Sequence, residues 1–197
     1  MFFSVKKQEN KKNGFTIMEL LISIAIFLII TAMVIVNFRS GQYRDELIGG
    51  AEAIETTIRE MQTKTNAGET VKCDPLQLEP SAPPDGYGVY ITDVPLIIAF
   101  ADCAYVHSAR YTYDSTNPTE DLVLKNVTLP ANVSIESMSE GGASVSTLNI
   151  VFSPTSEVVK INGADGNSII EITLKHSRTE KEITVKLNTL TGQSYYE

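Results

Sequence analysis

The chain predicts an α+β fold, a long N-terminal helix packed on an antiparallel β-sheet or β-sandwich. Three observations carry this expectation. Residues 14–38 are apolar over most of their length, and no Pro or Gly interrupts 15–40. Leu47, Ala51, Ile54, Ile58 and Met61 then recur at spacings of 4, 3, 4 and 3, one apolar stripe along a helix. From Tyr87 onward the hydrophobic period is two, with turn residues between short segments, which argues for antiparallel sheets and against an alternating α/β fold.

The chain's 197 residues suffice for one domain and an anchor. Charge is divided by position. Residues 1–14 hold Lys6, Lys7, Lys11 and Lys12 against Glu9, a net +3, so of the chain's net −8 the remainder carries −11. A basic leader before an apolar run, with acidic sequence after it, is the positive-inside arrangement: leader in the cytoplasm, β-domain outside. The acidic exterior gives no reason to expect nucleic-acid binding by that domain.

Residues 17–36 number 20 and span about 30 Å as a helix, one hydrocarbon core. Within 20–36 the polar residues are Ser23 and Thr31, whose hydroxyls can bond back to the helix. Glu19 is different. A carboxylate at mid-span costs about 2.5–3.5 kcal/mol, less near a helix end, so its presence is a functional signal. A cleaved secretory signal has an apolar run of about 7–15 residues and a small-x-small cut site. Here the run is longer, contains Glu19, and ends in VIVNFRS. A plain signal anchor explains the length and flanks but leaves Glu19 without a purpose.

KKNGFTIMELLISIAIFLII resembles the N-terminus of type IV prepilins and the related pseudopilins. The resemblance implies that a membrane prepilin peptidase cuts between Gly14 and Phe15 and N-methylates Phe15. It also implies that Glu19 is the assembly residue, paired with the amine of a neighbouring subunit in a pilus or secretion pseudopilus filament. The implied partners are the prepilin peptidase, other pilin or pseudopilin subunits, the inner-membrane assembly platform, and the membrane itself before assembly. The implied location is a single pass of the inner membrane, N-terminus cytoplasmic and C-terminal domain extracytoplasmic, and afterwards the filament. The spacing is chemically sensible. Glu19 lies four residues after Phe15, about one turn along on nearly the same face. An opposite charge within about 4–6 Å offsets the cost of the carboxylate, and methylation of the amine keeps its charge. One departure is visible. Many family members carry a proline shortly before an Asn-Phe pair; here Val36 precedes Asn37 and Phe38, and no proline occurs before Pro75. Gly41, Gly49 and Gly50 are then the helix's weak points, each costing about 0.8–1.0 kcal/mol relative to Ala. The competing expectation is an uncleaved, signal-anchored monomer with an extracytoplasmic binding or enzymatic domain, for which neither Gly14 nor Glu19 matters.

The expected organisation is a cleaved leader at 1–14, a spanning and filament-core helix at 15–38, its amphipathic continuation at 39–66, a proline-rich connector at 67–86, and an extracytoplasmic β-domain at 87–197. The apolar stripe suits a coiled-coil seam or a face packed on a sheet, and the sheet is the expectation. Asn66, Ala67 and Gly68 end the helix, Gly supplying a positive φ. Pro75, Pro80, Pro83 and Pro84 keep the connector out of any sheet interior. Strands are expected at 87–92, 96–101, 110–113, 121–129, 132–138, 147–152, 157–161, 168–175 and 182–187, the last two forming a hairpin through HSRTEK. Residues 164–167 are expected as a turn. GYGVYI, IIAFAD, TLPANVSI, LNIVFSP and ITVKLNTLTGQ loosely resemble the H-type minor pseudopilins and their pilus counterparts, which implies a pilin-like β-sandwich behind the helix.

Chemistry-bearing motifs are sparse, so no enzyme, cofactor, metal or catalytic residue is expected. His107 and His176 are the histidines, far apart in the chain, and the sequence has no HExxH, CxxC, GxSxG or phosphate-binding glycine loop. Asp102, His107 and Ser108 read as ordinary loop residues. Asp102, Asp114, Glu120 and Asp121 lack the ligand spacing of a calcium loop and read as a solvated acidic loop. Tyr111 and Tyr113 alternate and are expected to pack on a sheet face. Cys73 and Cys103 lie on the outer side, where an oxidising compartment permits a disulfide; two buried free thiols are the alternative.

Overall fold

The computed structural model describes residues 15–73, 83–93, 96–103, 111–114, 121–156 and 158–197, without the side chains of 36–40. It divides into two compact units, Met1–Gln42 and Tyr43–Glu197. In the first, helix α1 (Ile17–Ala67) begins. Its segment Ile17–Ile35 has a mean hydropathy of 2.7, has no buried residue, and is long and apolar enough to cross a membrane.

The second unit holds the rest of α1 and eleven strands. These are β1 (Gly86–Thr92), β2 (Ile97–Asp102), β3 (Asp121–Val127), β4 (Val133–Glu140), β5 (Ala143–Ser144), β6 (Thr147–Phe152), β7 (Lys160–Ile161), β8 (Ala164–Asp165), β9 (Ile169–His176), β10 (Glu182–Asn188) and β11 (Gln193–Tyr196). They form a six-stranded sheet in the order β3-β2-β1-β6-β7-β8 and a five-stranded sheet in the order β11-β10-β9-β4-β5. Every pairing is antiparallel.

One core holds these parts together. The stripe Leu47, Ala51, Ile54, Ile58 and Met61 is buried with Val89, Ile91, Ala99 and Ile150 of the larger sheet and Val133, Ile172, Leu174 and Val185 of the smaller. Burying each large aliphatic side chain here contributes about 1.5–3 kcal/mol. The sheet, not a coiled-coil seam, is therefore the partner of the stripe. Polar bonds fix its register. Thr65 Oγ1 donates to the Phe152 carbonyl at 3.1 Å, and Tyr196 Oη donates to Glu52 at 3.3 Å. The helix ends as its sequence predicts. Gly68 has φ of 61°, its N–H bonds Thr65 C=O, and Glu69 N–H bonds Lys64 C=O, a Schellman cap. Beyond it, Cys73 is joined to Cys103 by a disulfide with Cα atoms 5.4 Å apart, linking the exit of the helix to the end of β2.

The structure corrects several expectations. Residues 111–113 are not a strand. Tyr111 has φ of 66° and sits in a turn, while Arg110 lies outside the described residues. Residues 157–161 shrink to the two-residue β7. The turn expected at 164–167 falls at Asn162 and Gly163, both at positive φ, and Ala164–Asp165 is itself a strand. In β4 a register shift between Ile135 and Ser137 breaks the period of two, so Met138 turns inward after two exposed residues. The strands β5, β8 and β11 went unforeseen because two to four polar or small residues carry no alternation. Residues 74–82 of the connector lie outside the described residues.

The two adjacent helix glycines differ. A Cβ on Gly49 meets nothing within 4 Å, whereas one on Gly50 lies 3.2 Å from Val133 and 3.4 Å from Leu174. Gly49→Ala should therefore raise stability by about 0.8–1.0 kcal/mol. Gly50→Val should lower it by about 1–3 kcal/mol through overpacking. Denaturant unfolding of both variants checks this; equal effects would refute the packing role of Gly50. The disulfide closes a sequence separation of 30. Replacing both cysteines by Ser should cost about 2–4 kcal/mol in the same measurement.

Candidate functional site

The first turn of α1 is set by one residue. Thr16 precedes the helix, its Oγ1 accepts the Glu19 N–H at 3.2 Å, and its carbonyl accepts the Leu20 N–H at 3.1 Å. Thr16 is thus the N-cap and Glu19 stands at the third helical position, the Thr-x-x-Glu spacing of a capping box. The Thr-x-x-Glu spacing is the sequence signal for this cap. The position suits a carboxylate for a second reason: unpaired N–H groups give the start of a helix a partial positive charge. Phe15 and Glu19 are both exposed, as is the apolar surface from Ile17 to Ile35. The two span hydroxyls bond back into the helix, Ser23 Oγ to Glu19 C=O at 2.7 Å and Thr31 Oγ1 to Phe27 C=O at 2.8 Å. The span is left with one side chain that has a formal charge, Glu19, four residues from Phe15. Gly14 lies outside the described residues.

The comparisons address this same stretch. Residues 10–35 match the family model described as the prokaryotic N-terminal methylation motif, the signature of type IV prepilins and pseudopilins. The match covers the leader's end and the span, and leaves the β-domain unmatched. No curated protein and no solved structure matches the chain. The motif and the single apolar N-terminal helix fit a single-pass, membrane-anchored protein of pilin type.

The remaining candidates are placed by the second unit. Asp102 and Asp121 are both buried, not solvated as expected, and face each other across the β2–β3 pair. Asp102 Oδ2 accepts the Tyr111 N–H at 2.6 Å, and Asp121 Oδ2 accepts the Asp114 N–H. These carboxylates shape a loop. Among the described residues no group of three or more His, Cys, Asp or Glu is placed to hold a metal ion. Glu120, His107 and Ser108 lie outside them. Tyr111 and Tyr113 pack with Tyr90 on Ile98, Phe100 and Val151, a small second core on the other face of the larger sheet. The Tyr113 ring lies 5.1 Å from Tyr90 and 5.3 Å from Phe100.

Sequence reasoning missed one polar cluster entirely. His176 is fully buried, and Glu46 Oε2 lies 3.0 Å from both its Nε2 and Asn132 Nδ2. Arg178 N–H donates to His176 Nδ1 at 3.2 Å, so the ring proton sits on Nε2 and points at Glu46. The Tyr43 ring lies 4.8 Å from the imidazole. The signal was the parity of β9. His176 extends the inward face of Ile170, Ile172 and Leu174 by one step. The cluster ties the start of α1 within this unit to β4 and to the β9–β10 turn.

The Asn132 hydrogen bond, then that of His176, holds the Glu46 carboxyl below its ordinary value of 4.5, with the charge of Arg178 adding to the effect. A carboxylate with a depressed folded-state pKa stabilises the fold fully above its unfolded value and loses that contribution as pH falls through the folded value. The melting temperature should therefore drop more steeply between about pH 5 and pH 3 in the native chain than in Glu46→Gln, while at neutral pH the variant should melt lower. Parallel pH profiles would refute the assignment.

Proposed function

We propose that this chain is a type IV pilin-like or pseudopilin structural subunit. Prepilin peptidase would cut it after Gly14 and methylate Phe15, and the subunit would then enter a pilus or secretion pseudopilus filament through its N-terminal helix. The observation that carries this is the single carboxylate of the apolar span, Glu19, standing inside the methylation motif four residues after the residue that would become the N-terminus. Before cleavage, residue 15 is joined to residue 14 by a neutral peptide bond. After cleavage it bears a cationic amine. Packed side by side, each subunit would offer one amine and one carboxylate at the same level of the helix, and pairing between neighbours would neutralise both in a dry filament core. The work is assembly. The β-domain would lie outside the inner membrane, in keeping with the basic leader and acidic remainder, and would cover the filament surface. Assembly would require the inner-membrane platform and other subunits of the same class. The loose strand-pattern likeness to H-type minor pseudopilins and their pilus counterparts suits a pilus and a pseudopilus alike.

The test is the intact mass of the protein extracted from membranes of cells that carry the peptidase. The expected mass lacks residues 1–14 and gains one methyl group; an uncut, unmethylated chain would overturn the proposal. Glu19→Ala should be inserted and processed but fail to enter sheared filaments. Normal filament yield from that variant would remove Glu19 from the assembly step while leaving processing intact.

A further inference from the structure

The turn between β9 and β10 is built around one imidazole. His176 closes β9 and is fully buried. Its neighbours come from α1, from the residues before β4 and from the turn itself. From α1, Glu46 Oε2 lies 3.0 Å from Nε2, and the Tyr43 ring centroid lies 4.8 Å from that of the imidazole. Before β4, Asn132 donates Nδ2 to the same Glu46 oxygen at 3.0 Å, and Val133 is the register partner of His176. In the turn, Arg178 donates its main-chain N–H to Nδ1 at 3.2 Å, and Lys181 C=O accepts the His176 N–H at 2.9 Å. The titratable and charged groups facing the ring are therefore Glu46 and Tyr43 from α1 and Arg178 and Lys181 from the turn, the last two with exposed side chains.

A neutral imidazole has one donor and one acceptor. Here both are used, the donor by a carboxylate and the acceptor by a main-chain N–H. A second proton has one place to go, Nδ1. It turns that acceptor into a donor and sets it against the Arg178 N–H. The Glu46 side does not oppose the change, because a carboxylate beside an imidazole favours the charged ring. Glu46 also stays ionised in mild acid, since its bonds to Asn132 and His176 hold its carboxyl below the ordinary value. The conflict therefore falls on the turn. That turn is strained: Glu180, not a glycine, has φ of 54°. It is held by His176 C=O, which accepts the N–H of Thr179 at 3.3 Å and of Glu180 at 3.0 Å, and by the Lys175–Glu180 ion pair at 2.7 Å.

We infer that His176 is a proton-operated switch of the β9–β10 turn. With the ring neutral, Nδ1 holds the Arg178 N–H and the turn is closed. When Nδ1 takes a proton from water, the Arg178 N–H is released to solvent and the turn relaxes. Nε2–H stays on Glu46, and that contact becomes an ion pair, so α1 remains fastened to β9 while the turn changes. Ser177, Arg178 and Lys181 are exposed on this turn, and the surface they present follows pH. The inference concerns the second unit alone and stands whether or not the chain is cut after Gly14.

The test uses the full-length chain in detergent micelles. Amide exchange, corrected for its intrinsic pH dependence, and the imidazole nitrogen signals are followed by NMR from about pH 7.5 to about pH 5, the range in which histidine gains its proton. The His176 ring should pass from one donor to two, and in the same titration the Arg178 N–H should lose protection by about tenfold. The neighbouring Ser177 N–H, bonded to Asn132 C=O at 2.9 Å, should keep its protection. Glu46→Gln leaves the ring an acceptor but removes the charge that favours the imidazolium, so both changes should move to lower pH by about one unit. His176→Gln should make Arg178 exchange independent of pH. Melting temperature reports folding of each variant, and Glu46→Gln decides if His176→Gln does not fold. Unchanged Arg178 protection through the ring titration, equal loss at Ser177 and Arg178, or an unmoved midpoint in Glu46→Gln would overturn the inference.

Discussion

The second unit depends on one stripe of side chains. Leu47, Ala51, Ile54, Ile58 and Met61 are buried together with the inner residues of both sheets, so the helix is a shared wall of the core and not an appendage to it. Five strands or six, each apolar on one face, cannot be left uncovered in water. The stripe also dictates where polar groups fall. Glu46 precedes Leu47 by one residue and reaches His176, while Thr65 follows Met61 by one turn and reaches Phe152. Both are fixed by the same helical phase. The capped end at Gly68 and the disulfide from Cys73 to Cys103 then hold the exit of the helix to the larger sheet.

Much of this was legible in the sequence because it is periodic. The stripe, the clean alternation of β9 and β10, and the glycine that ends the helix follow from spacing alone. What was not legible is aperiodic or long-range. The bulge in β4 is one extra residue, and it shifts Met138 to the face that simple alternation denies it. Tyr111 at positive φ ends a run that composition marks as a strand. The burial of Asp102 and Asp121 depends on the backbone of a loop that returns over them, which no local pattern encodes. His176 lay in plain view as the next inward step of β9, but its partner Glu46 is 130 residues away. At the N-terminus the apolar length and Glu19 are readable from composition, and the cap by Thr16 from its three-residue spacing to Glu19.

Thr16 and Glu19 place a physical condition on the proposed cleavage. In the uncut chain the first turn of α1 is balanced: a threonine cap, a carboxylate, and the partial positive charge of free N–H groups. Cutting before Phe15 would add a full positive charge one residue from that cap. Within one chain the new amine would be repelled by the partial positive charge of the helix start. A second chain changes the balance. If each amine turns to a neighbour's Glu19, every subunit gives one cation and takes one, and the contact joins unlike surfaces. Such heterologous contacts generate open helical arrays, not closed rings, unless the rotation between copies happens to close. On the proposed reading, one acid four residues after a cut site would favour a filament, and the apolar faces from Ile17 to Ile35 would supply the adhesion that the ion pair orients.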